Sequence, residues 1–182
     1  PLPNELFEKF TKEFGLSEYD ANVLIEEKDI ALYFNELANF TSNYKAAANV
    51  VNGSVKSYLN ENAVSIQDID ISPKQLSTLI DLVDKGQVSN TIALGKVFPE
   101  MLKSDKTAEE IATDNNWIQE SNSDVLDDYI KQAISKYPDK VQEYKKGKKG
   151  LIGLFMGELM KLSKGKADPK LANQLLTREL EK

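Results

Sequence analysis

Ten lysines lie between residues 136 and 170, opposed there only by Asp139, Glu143, Glu158 and Asp168, a local charge of +6 in a chain whose net charge is -6. Seven of them bracket a glycine-rich stretch: Lys145, Lys146, Lys148 and Lys149 precede it, and Lys161, Lys164 and Lys166 close it. An ammonium on a flexible stem attracts phosphate without reading bases, and the attraction weakens with salt because binding releases condensed counterions. The same run also fits a solvated surface that keeps the protein soluble. Gly150, Gly153 and Gly157 lie between the two clusters, with Gly165 in the second. Gly153 and Gly157 are four residues apart and share one helix face. Inside a helix each costs about 1 kcal/mol relative to alanine, roughly 2 kcal/mol for the pair. A face without side chains lets another backbone approach closely, whether that of a neighbouring helix in the same domain or that of a bound protein or nucleic acid. Both readings stand on residue types alone. Glycine-rich loops also hold nucleotides, but no Walker-type or dinucleotide fingerprint is present and no strand precedes the segment, which rejects that reading.

Elsewhere the residue types exclude more than they offer. The chain has no cysteine and no histidine, so it has no thiolate nucleophile, no thiolate or imidazole metal ligand and none of the side chains most often used as general base. No catalytic or metal site is expected. Asp68 and Asp70, Asp81 and Asp84, and Asp127 and Asp128 are carboxylate pairs, but they fall at helix starts or exposed faces, where acidic residues favour the helix dipole. Trp117, the single tryptophan, could stack on a base or anchor a core. No apolar run approaches the roughly 20 residues of a membrane helix and no signal-like N-terminus is present, so the expected location is the cytoplasm, away from membranes. The opening Pro1-Leu2-Pro3 lacks an initiating Met, which reads as a start inside a longer protein.

The elements that must position the lysines are helical throughout. Leu6, Phe7, Phe10 and Phe14 recur at three- and four-residue intervals, and helical spacing continues through Ile25, through Ile30 to Phe40 with Asp29 as cap, and from Asn43 to Leu59. Residues 60–72 read as a connector. Ser72-Pro73-Lys74-Gln75 and Thr107-Ala108-Glu109-Glu110 are capping boxes that start helices, and Gly86 suits the left-handed position after the first of these. Ser89 is placed to cap the next helix, which Pro99 should kink. Beyond it the spacing predicts helices over 123–137, from Pro138 to Gly147, over about 149–163 ended by Gly165, and over 169–181 capped by Asp168. The expectation is about ten helices and no strand, an all-α chain in two small helical domains. The polar break at Ser104-Asp105-Lys106 puts the boundary between 1–106, with 16 acidic and 10 basic side chains, and 107–182, with 13 of each.

Gly153-Leu154-Phe155-Met156-Gly157-Glu158-Leu159-Met160-Lys161, followed by Lys164-Gly165-Lys166-Ala167-Asp168-Pro169, resembles the C-terminal signature of the GatB/YqeY family. Leu16-Ser17-Glu18-Tyr19-Asp20-Ala21, Lys45-Ala46-Ala47-Ala48-Asn49, Ser72 to Leu76 and Val141 to Lys148 extend the likeness over nearly the whole chain. The opening and the Tyr19-Asp20-Ala21 segment look like the B subunits of tRNA-dependent amidotransferases rather than free-standing YqeY. The resemblance implies a helical domain followed by a YqeY-like tail that grips the body of a tRNA. ATP, magnesium and transamidation belong to a cradle domain absent from this sequence, so the fragment needs no cofactor. The implied protein partners are the amidase, or A, and the small C subunits of the complex, and DNA is not a partner. A second function, docking of a protein through the Gly153/Gly157 face, stays open. The chain departs from the family with Glu158 for the usual Gln, Asp168 for Asn, and a poorer match over Ile92 to Lys96. Two added negative charges beside the basic loops are expected to weaken phosphate binding.

Overall fold

The protein is described by a computed structural model over residues 1–119 and 123–182. All regular structure among the described residues is helical, as the spacing predicts. With helices that run on through wide π-turns counted as one, the described residues form eleven helices against the ten expected. The chain divides into two compact units, residues 1–85 with 90–116, and residues 86–89 with 117–182.

In the first unit α1 (Pro3–Glu8) continues through a π-helical segment, Lys9–Glu13, in which Phe14 N–H reaches back five residues to Lys9 O. The extra residue turns Phe10 fully inward, edge-on to Phe34 at 4.9 Å, and stacks Phe14 on Tyr44 at 4.3 Å. Then come α2 (Glu18–Ile25), α3 (Lys28–Leu37), α4 (Tyr44–Val50), a second π segment (Val51–Val55) and α5 (Lys56–Asn62). Ser17 and Asn43 cap α2 and α4 through their side chains. Asp29 does not cap α3: the cap position is Glu27, without a side-chain bond, and Asp29 lies in the first turn, where its charge favours the dipole. α5 runs on to Asn62, past the expected end at Leu59, and residues 63–72 connect through one 3₁₀ turn (Ile66–Asp68), pinned where the Tyr33 hydroxyl donates to Ile71 O at 2.8 Å.

The capping box at Ser72 starts α6 (Pro73–Asp84), with Gln75 N–H on Ser72 Oγ and Ser72 N–H on Gln75 Oε1. Gly86 follows in the left-handed conformation at φ 69°. After α7 (Asn90–Ile92), the kink expected at Pro99 takes the form of a third π segment, Ala93–Val97, leading into α8 (Phe98–Met101). A wide turn there makes room for the ring and for the missing N–H. Thr107 and Glu110 cap α9 (Ala108–Asp114) reciprocally. This helix buries Ala108, Ile111 and Ala112 and packs on α6 and α8. The division therefore falls after Asn116, not at Lys106: the polar break is a surface loop inside the first unit.

The second unit contains α10 (Ser123–Lys136), α11 (Pro138–Lys145), a 3₁₀ turn (Lys149–Leu151), α12 (Ile152–Leu162) and α13 (Pro169–Leu180). Leu126 and Ile130 of α10, Phe155 and Leu159 of α12, and Ala172, Leu176 and Leu180 of α13 form one buried cluster with Tyr144. Residues 86–89 join it through Gln119 N–H, which donates to Gln87 O. Asp168 caps α13 as expected, accepting from Lys170 N–H at 3.0 Å.

Candidate nucleic-acid interface

The basic loop is anchored by the one residue in it that belongs to the core. Tyr144, on the last turn of α11, is buried against the cluster, which fixes where the following residues leave the helix. Gly147, at φ 114°, reverses the chain. Lys148 N–H then returns to Glu143 O at 3.1 Å, and the chain enters α12 through the 3₁₀ turn.

The lysines divide into two sets. Lys148 and Lys140 grip the two oxygens of Glu143 at 3.0 and 3.2 Å, and these hydrogen bonds, Lys148's first, hold its carboxyl below the usual carboxylate range. Lys149 lies over the Tyr144 ring at 4.2 Å. Lys136 pairs at 2.7 Å with Glu158, whose carboxyl this bond lowers, while Glu158 raises the ammonium of Lys136 in return. The side-chain ammonium groups of Lys145, Lys146, Lys161, Lys164 and Lys166 have no hydrogen-bond or ion-pair partner among the described residues, although Lys161 adds to the field on Glu158. Of the seven lysines expected to meet phosphate, two thus have prior partners and five do not. Glu143 as the clamp that commits Lys148 escapes sequence reasoning, because a carboxylate five residues from a lysine reads as an ordinary surface charge.

The glycines resolve one open question. A Cβ added at Gly150, Gly153, Gly157 or Gly165 would meet no atom within 4 Å among the described residues. Gly153 and Gly157 are exposed on α12, so tight helix packing inside the domain does not explain them. Their face is open. It also carries Leu154, 39% exposed, and Lys161, while Phe155 and Leu159 bury the opposite side. Along α12 this face runs from Gly153 through Gly157 to Lys161 and on toward the 164–166 turn.

Glu158 and Asp168 do not display their charges to the loops as expected. Glu158 is 9% exposed and committed to Lys136, and Asp168 turns Oδ1 to the first N–H groups of α13. Two of the candidate carboxylates have local partners. Asp68 bonds Ser65, which lowers its carboxyl, and Asp84 accepts from Asn43 at 2.7 Å. Among the described residues no group of three potential metal ligands exists. Trp117 is half-buried.

Residues 32–180 match a family model described as the GatB domain. The chain belongs to that family. It is 43% identical to the B subunit of aspartyl/glutamyl-tRNA(Asn/Gln) amidotransferase from Caldicellulosiruptor bescii, over all of this chain and 38% of that protein. With the corresponding protein of Thermodesulfovibrio yellowstonii it shares 38% identity over 96% of this chain and 37% of the relative. For Clostridium botulinum the identity is 36% over 100% of this chain and 38% of the relative. The chain spans about 38% of the length of these relatives and corresponds to their C-terminal part. The matched region takes in most of the first unit and, in the second, the basic loop, the open glycine face and the cap of α13. No helix among the described residues is long and apolar enough to cross a membrane.

Proposed function

We propose that this GatB-domain chain is the tRNA-gripping C-terminal portion of an amidotransferase B subunit, a cytoplasmic component that binds the RNA body and leaves the chemistry to other parts of the complex. The observation that carries the reading is the set of five uncommitted lysines, Lys145, Lys146, Lys161, Lys164 and Lys166, which flank in sequence a helix face with no side chains at Gly153 and Gly157. Free ammonium groups contact phosphate without first breaking an internal pair, and an open glycine face lets a backbone lie close to the helix. In this reading ATP and magnesium act in the absent cradle domain, the A and C subunits are the protein partners, and no residue of this chain enters the reaction.

Binding of the chain to tRNA at 50 and 200 mM salt, with duplex DNA of matched charge as control, tests the proposal. Five phosphate contacts imply a loss of roughly two to three orders of magnitude in affinity across that range. Lys145→Glu with Lys146→Glu should weaken tRNA binding and flatten its salt dependence, and unchanged binding by a folded variant would refute the assignment. A second reading, protein docking through the same face, is favoured by the exposure of Leu154 beside Gly153 and Gly157. Under it, Gly157→Leu abolishes capture of the A or C subunits and leaves tRNA affinity intact.

A further inference from the structure

The turn that ends α12, like the one that ends α5 at Ala63, holds a residue with a side chain in the left-handed conformation, but here that residue carries a charge. Gly165 N–H donates to Met160 O at 2.8 Å and Lys164 N–H to Lys161 O at 3.2 Å, the paired closure that ends many helices. In that closure the first residue past the cap is left-handed and is usually glycine. Here that residue is Lys164, at φ 55°, and the available glycine, Gly165 at φ 78°, stands one position later. A side chain with a Cβ is disfavoured in this conformation. The surroundings enforce it: Ser163 is buried, its hydroxyl donates to Met160 O at 3.2 Å, and Ser163 Oγ in turn accepts from Ala167 N–H at 3.2 Å. Lys166 N–H closes on Ser163 O at 3.2 Å, so the turn is fully bonded and Lys164 cannot relax without breaking it. The Lys164 side chain is exposed and has no partner among the described residues.

We infer that Lys164 is a pre-positioned phosphate contact, kept in a strained left-handed conformation because that conformation aims its ammonium at the RNA strand. The inference rests on the tRNA reading above. Strained backbone that the surrounding bonds over-determine concentrates at functional positions, and here the strained residue is one of the five uncommitted cations. A lysine retained only to complement the helix dipole would gain as much from a relaxed position in the last turn, where Lys161 already stands.

The test uses the whole chain, with tRNA affinity at 50 and 200 mM salt and thermal unfolding followed at Trp117, which lies in the same unit. Lys164→Gly should raise the unfolding temperature of that unit by about 5 °C, since the strain disappears. The same variant should lose roughly five- to tenfold in tRNA affinity and lower the salt slope by about one contact. Lys164→Gln, which keeps the strain and drops the charge, should lose the affinity without gaining stability. Lys170→Gln, an equal change of charge on the exposed first turn of α13, should lose less. Lys164→Gly binding as tightly as the parent, or losing no more than Lys170→Gln, would overturn the inference while leaving the tRNA reading in place. An unfolding temperature that falls in Lys164→Gly would also overturn it, because the lysine would then serve stability. Absence of salt-dependent tRNA binding by the parent chain would refute both.

Discussion

Gly153→Ala and Gly157→Ala together should stabilise the second unit, a result opposite to the one tight helix packing requires. A Cβ at either position meets nothing within 4 Å, and both residues are in regular α-helix, so the added methyls clash with no neighbour. Alanine is better than glycine in a helix interior by about 0.8–1.0 kcal/mol, through the backbone entropy that glycine loses on folding; Gly157 receives that gain in full and Gly153, second residue of α12, part of it, so the pair gains about 1–2 kcal/mol. For a unit of this size that corresponds to about 4–16 °C in melting temperature, or about 0.5–2 M in urea midpoint. Trp117 is the single tryptophan and belongs to this unit, so its fluorescence reports the transition without interference from the first. The same variant should bind tRNA more weakly if the strand runs along the face, and a gain in stability with a loss in binding would explain why a destabilising pair of glycines is present. A midpoint that stays or falls would refute the reasoning, since it would mean that the folded chain closes this face on itself.

Three other outcomes follow from the same geometry. Lys148→Ala and Lys140→Ala should reduce tRNA affinity less than Lys145→Ala, because Glu143 already holds the first two; equal losses in a titration series would show that the clamp opens on binding. Glu143 and Glu158 have carboxyls depressed by their lysines, so they contribute stability above the ordinary value of 4.5 and lose it as pH falls through their lower folded values. Lys136, raised, contributes below 10.5 and loses it above, so the melting temperature should be flat near neutrality and fall at both extremes, with Glu158→Gln reducing the dependence in acid. Ser72→Ala and Thr107→Ala should each cost the first unit about 1 kcal/mol in urea denaturation, by removing a side-chain acceptor from the first turns of α6 and α9.

Much of the fold is legible in the sequence because its helices are marked at their ends. Capping boxes at Ser72 and Thr107, Asp168 before Pro169, and left-handed glycines at 86 and 147 all act locally, so residue types a few positions apart determine them. The three π segments are not legible. A π-turn depends on where a buried side chain such as Phe10 must point, and nothing in Lys9–Glu13 or Val51–Val55 announces that demand. The division after Asn116 escapes for a related reason. Ser104-Asp105-Lys106 is a polar break whether it separates two cores or crosses the surface of one, and only the packing of α9 on α6 decides which.

For the site, the composition exposes the cations, and the structure decides which of them are available. Ten lysines in one window appear equivalent until Glu143 and Glu158 are seen to claim Lys140, Lys148 and Lys136, and the Tyr144 ring to hold Lys149. Commitments of this kind depend on distances across helices, which spacing along one helix does not carry. The same holds for the glycines: four-residue spacing places Gly153 and Gly157 on one face but cannot say whether that face is covered. Once it is open, the cost of two helical glycines and of a left-handed lysine falls on a single exposed edge of α12 and its terminal turn. Marginally stable folds keep such costs mainly where function opposes stability. The three positions should therefore respond alike, with replacement improving the fold and impairing binding.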